Sequence, residues 1–75
     1  MADNEDKLIT CLALIRKDKG MSQADLAKAS GVHLGTIKFY EAGIRDINKA
    51  SCEIVYKLAR ALGVSMELIC EFVDE

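Results

Sequence analysis

The chain contains no proline and no tryptophan, and Phe and Tyr together supply only 5% of its 75 residues. Sandwiches and barrels lean on aromatics, β-branched runs and turn residues, so this shortage tilts the reading toward helices. No apolar run approaches the ~18–20 residues of a membrane span, and no charged-then-apolar leader precedes a cleavage site. An intact cytosolic chain with no membrane partner is expected. The single histidine, His33, leaves no His-x-x-x-His pair, and neither a Walker-type loop nor a paired acid–base constellation is present. These gaps argue against an enzyme, a metal site or any cofactor. Cys11, Cys52 and Cys70 are odd in number and form no C-x-x-C pair. They read as small buried or half-buried apolar residues in a reducing cytoplasm.

What is present is a globular balance of 51% hydrophobic and 29% charged residues. The length allows one domain, 1–75, and a domain this small buries only ~0.6 of its chain surface. That excludes a large cofactor cavity. The net charge of −2, taken whole, argues against a phosphate-binding surface. The distribution reverses this. Asp3, Glu5 and Asp6 at one end, with Glu67, Glu71, Asp74 and Glu75 at the other, hold seven of the twelve acids. Residues 7–66 hold all ten Lys and Arg against five acids, so the inner segment carries +5 and has room for a basic patch.

Hydrophobic spacing and breaker residues predict helices near 5–18, 22–29, 33–42, 49–62 and 65–73. Leu8, Ile9, Leu12 and Ile15 form the apolar stripe of the first, which Gly20 stops. Ser22 caps the second, with Asp25 three residues on in a capping-box pattern. Leu26, Ala27 and Ala29 carry that helix to Ser30, and Gly31 breaks it. Val32, Ile37 and Tyr40 define the third helix, and Phe39 falls off their face. Ile44 and Ile47 are expected to be buried anchors in the following loop. Asn48 or Ser51 caps the fourth helix, whose apolar face is Ile54, Val55, Leu58, Ala59 and Leu62, and Gly63 ends it. Ser65 caps a fifth helix with Met66, Leu68, Ile69 and Phe72 apolar.

Helices two and three, joined by a tight glycine-bearing turn, make a helix-turn-helix. A bare α-helix fits the ~12 Å width of the DNA major groove, so the second of the pair can enter it. Leu26, Ala27, Val32 and Ile37 supply the apolar inner faces this geometry requires, and the small Ala27 lets the two axes approach.

The stretch MSQADLAKASGVHLGTIKFYEAG, residues 21–43, resembles the helix-turn-helix of the Cro/CI-type (xenobiotic-response-element) family of bacterial and phage repressors. Ser22-Gln23, Leu26-Ala27, Gly31-Val32, Thr36-Ile37, Glu41 and Gly43 carry the resemblance. Leu58 to Ser65 is similar to the family's fourth helix and the turn into its fifth, so about residues 8–72 are covered. The segment RDINKAS, residues 45–51, looks like a variant seen in small stand-alone regulators. The resemblance implies an all-α, five-helix, lambda-repressor-like domain that binds double-stranded DNA as a homodimer in a bacterial or phage-infected cytoplasm, at the nucleoid.

Carried over by position, the resemblance implies that Gln23 bonds a backbone phosphate or the first recognition residue. The amides of the Ser22 turn would meet a phosphate. Leu34, Gly35, Thr36, Lys38 and Phe39 would face base edges or the flanking backbone, and Arg45 and Lys49 would contact phosphate. Arg16 and Glu41 match a partly buried ion pair between the first helix and the recognition helix. The chain departs from the family at Leu34, Gly35 and Ala42, where polar or basic residues are common, and at His33, where a Ser or Asn cap is usual. His33 itself reads as a surface turn residue. Leu touches at most a thymine methyl and Gly reads nothing, so base readers shrink to Thr36 and Lys38 and discrimination is expected to be modest.

Two other readings remain open from the sequence. The apolar would-be reading face (Leu34, Gly35, Phe39, Ala42) also suits a protein-interaction module such as an antitoxin or anti-repressor partner. The run Thr36 to Ile44 also resembles the start of MerR-type regulators, which requires a β-wing next. The apolar tail Met66 to Val73 either closes the core or forms a dimer seam at the end of helices four and five.

Overall fold

A computed structural model describes residues 9–71. They form five α-helices: α1 (Cys11–Asp18), α2 (Gln23–Ser30), α3 (Leu34–Glu41), α4 (Cys52–Leu62) and α5 (Met66–Ile69), with one 3-10 turn at Ile47–Lys49. Among the described residues there is no strand, so the wing required by the MerR-type reading is replaced by that turn and α4. No helix among them is long and apolar enough to cross a membrane.

Leu12, Leu26, Ile37, Leu58 and Ile69 are the fully buried large side chains, and each comes from a different helix. Full burial of such a side chain stabilises by about 1.5–3 kcal/mol, so each helix is anchored through one fully buried residue. Val32, Tyr40, Ile47, Val55, Ala59 and Leu62 complete the cluster. α4 backs both α2 and α5, while α1 lies against α3 and α5. Breaker residues fall where the sequence placed them, with Gly20, Gly31, Gly43 and Gly63 all at positive φ.

Several expectations are corrected. α1 starts at Cys11, because the Thr10 hydroxyl accepts from the Ala13 amide at 3.3 Å and caps the helix there. Ile9 lies before it and is exposed, and residues 5–8 of the expected helix lie outside the described residues. Ile44 is not an anchor. It is 70% exposed, whereas Ile47 is buried. Irregular backbone has no period, so an apolar residue in it carries no direction.

Ser51 caps α4, accepting from the Ile54 amide at 3.2 Å. Asn48 instead grips Glu71: its Oδ1 accepts from the Glu71 amide at 2.8 Å, and its Nδ2 donates to the Glu71 carbonyl. Those backbone groups are thereby held by a side chain, and α5 has already ended at Ile69. Ser65 begins α5 without a side-chain cap, and the expected continuation through Phe72 and Val73 lies outside the described residues. Cys11 and Cys70 are half-buried as expected, but Cys52, the first residue of α4, is exposed.

Candidate nucleic-acid interface

α2 opens with a complete capping box. Ser22 Oγ accepts from the Asp25 amide at 2.9 Å, and Asp25 Oδ2 accepts from the Ser22 amide at 3.0 Å. The Ser22 amide, then the Ser22 hydroxyl, and the nearby Lys28 charge keep the Asp25 carboxyl below the usual carboxylate range. Two amides of this turn are therefore occupied and a carboxylate stands among them. A phosphate contact at the Ser22 turn is thereby left to the Gln23 and Ala24 amides.

Gly31 ends α2 at φ +79°, with its amide bonded to the Ala27 carbonyl at 2.9 Å. A residue with a side chain adopts this left-handed conformation at a cost, which is why the turn takes glycine. Ser30 Oγ accepts from the Val32 amide at 3.1 Å, and Val32 drops into the core. His33 then caps α3: its Nδ1 accepts from the Gly35 amide at 3.0 Å. The sequence reading left His33 as a plain turn residue. Its place before the helix, where a Ser or Asn cap is usual, was legible; that its own ring nitrogen serves as the cap was not.

α3 buries Ile37 and Tyr40. At 100° per residue, the opposite side carries Gly35, Lys38, Phe39 and Ala42. Lys38 and Phe39 are exposed, while Leu34 and Thr36 are half-buried on the two flanks. Thr36 lines an open cleft with His33, Ser51 and Glu53, so it borders the start of α4 and is not at the centre of the outward face. Arg45, after α3, lies with its guanidinium 5.1 Å from the Phe39 ring centroid, a cation–π distance that holds an otherwise free cation beside the helix. Lys49 is exposed on the same connection.

The pair is held from behind. Arg16 Nε donates to Glu41 Oε2 at 2.6 Å and Nη2 to Oε1 at 3.0 Å, while Nη1 donates to the Met21 carbonyl at 2.7 Å. Gln23 Nε2 adds a bond to Glu41 Oε1 at 2.9 Å. Gln23 is thus engaged with Glu41, not with the first recognition residue. The Thr10 hydroxyl donates to the Glu41 carbonyl at 3.2 Å. The Glu41 carboxylate at the end of α3 therefore ties α1 to α2, and Arg16 adds the α1–α2 connection through Met21.

The sequence-derived residues separate into two groups. Arg16, Gln23 and Glu41 form the internal brace, and Ser22 caps α2. Lys38, Phe39, Arg45 and Lys49 are exposed, with Leu34, Gly35 and Thr36 partly covered beside them.

No curated protein matches the chain. A helix-turn-helix family model matches residues 12–69, from the first core residue of α1 to the last residue of α5. That span is most of the 75 residues, and the chain belongs to the helix-turn-helix family.

Proposed function

We propose that this chain is a small Cro/CI-type transcriptional regulator that binds double-stranded DNA with α3 in the major groove. The observation that carries the reading is the exposed face of α3, where Lys38 is exposed and the Arg45 guanidinium lies over the exposed Phe39 ring, so that both cations can approach a phosphate backbone. Phosphate contact then comes from Arg45 and Lys49, with Lys38 and Leu34 nearest the bases. Leu34 offers only apolar contact, such as with a thymine methyl, so specificity is weak. The proposal includes a homodimer through the α4–α5 end, where Leu68 is exposed, spacing two recognition helices by about one turn of DNA, ~34 Å. No catalytic step or cofactor belongs to it, and it places the protein at DNA in a bacterial cytoplasm.

The test is the salt dependence of binding to non-specific duplex DNA. Each phosphate contact contributes ~0.9 to the slope of log K against log salt. Arg45→Ala is expected to lower the slope by about that amount. Retention that ignores salt would end the reading.

One observation favours a second reading. Phe39 is 41% and Ile44 70% exposed, and the Ile44 amide bonds the Phe39 carbonyl at 3.0 Å, so two exposed apolar residues are joined through their backbones at the end of α3. A protein-interaction module on the same fold would use them. Phe39→Ala combined with Ile44→Ser would then abolish partner binding.

A further inference from the structure

His33 and Gly35 act as one unit at the start of α3. Because His33 Nδ1 accepts the Gly35 N–H, that nitrogen is bare, and the neutral ring carries its hydrogen on Nε2. A Cβ built on Gly35 would stand 3.3 Å from Nδ1 and 3.5 Å from Cε1 of His33. The imidazole thus lies against the spot where a side chain of residue 35 would begin. Gly35 belongs to the outward side of α3, opposite Ile37 and Tyr40, and His33 is exposed. The acid across the adjoining cleft, Glu53, is paired with Lys57 at 3.1 Å.

In helix-turn-helix proteins the N-terminal residues of the recognition helix meet base edges. Here Leu34 has no hydrogen-bonding side chain and Gly35 has no side chain at all. We propose that His33, seated over Gly35, presents its Nε2–H to a purine N7 in the major groove and supplies the base contact that position 35 lacks. The inference rests on the DNA-binding reading above. Adenine and guanine both show N7 there, so a single donor separates purine from pyrimidine without separating the two purines. This accounts for a reading helix poor in polar side chains.

The experiment measures binding of the full chain to a mixed-sequence duplex and to the same duplex made with 7-deazaadenine and 7-deazaguanine, which lack only the N7 acceptor. The wild type is expected to prefer the natural duplex about fivefold, the factor one ordinary hydrogen bond carries. His33→Ser keeps a good N-cap but cannot reach the groove. It is expected to bind both duplexes alike, at the weaker level, with an unchanged unfolding midpoint. His33→Thr serves if the Ser variant does not fold. Equal wild-type binding to both duplexes, or a preference that survives in the variant, overturns the inference and leaves DNA binding intact. Binding to neither duplex overturns the DNA reading itself.

Discussion

Arg16 and Glu41, 25 positions apart, meet in a two-pronged ion pair, with side chains only 10% and 6% exposed. The pair is satisfied on both sides, because Met21 takes the remaining guanidinium contact and Gln23 the remaining carboxylate one. Removing one partner strands the other charge. Glu41→Gln is therefore expected to destabilise the domain by about 3–5 kcal/mol in urea unfolding followed by circular dichroism. For so small a domain that is most of its stability. The double variant Arg16→Met, Glu41→Leu should recover much of the loss, and an unchanged midpoint in the single variant would refute the account.

The capping box at α2 predicts a pH effect. The Asp25 carboxyl is held low by its bonds with Ser22, so its contribution is present above the ordinary carboxylate range and is lost as pH falls through the lowered value. Asp25→Asn should give a flatter acid-unfolding curve than the wild type. The same change removes a negative charge from the start of α2, so duplex affinity at low salt should rise. A fall in affinity would argue that this turn does not face DNA.

Gly31 separates conformational strain from packing. Its φ is +79°, and a Cβ there would meet nothing within 4 Å. Gly31→Ala should cost about 1–2 kcal/mol from backbone strain alone. Gly31→Asn should cost less, since asparagine tolerates the left-handed region better. Thermal melts of the two variants check the order, and Asn melting below Ala would contradict it.

The three thiols should react in a defined order. Cys52 is exposed, whereas burial, then the nearby Glu71 charge, pushes the Cys11 thiol up, and the same two causes act on Cys70. Iodoacetamide at mildly alkaline pH should label Cys52 first, as read by peptide mass spectrometry. Because the two folded-state values are raised, the stability tied to them is complete below the unfolded thiol value and is lost as pH rises through the folded one. Fastest labelling at Cys11 would show that the α1–α5 junction opens.

Much of the architecture was legible along the chain. Ser22 with Asp25, Gly31, Gly63 and the apolar spacing of α4 are local signals, because caps and helical faces involve residues at most four apart. The Arg16–Glu41 pair was legible only through family resemblance, since no local rule links residues so distant. The candidate interface was legible by residue type and less so by direction. Thr36 turned out to border the α4 cleft, and Gln23 to face Glu41. The cap position of His33 was legible, but not that its ring nitrogen fills it, because a histidine cap depends on ring orientation, which no spacing encodes.

By itself the sequence determined five helices, their breaks and the apolar stripe on each that contains its buried anchor, because backbone hydrogen bonding and hydrophobic periodicity act over short separations. Tertiary structure alone decided that Ile44 projects while Ile47 is buried and that Asn48 grips Glu71. The outcome in each case depends on which distant groups come within about 3 Å, and that is settled only when all the helices close around one core.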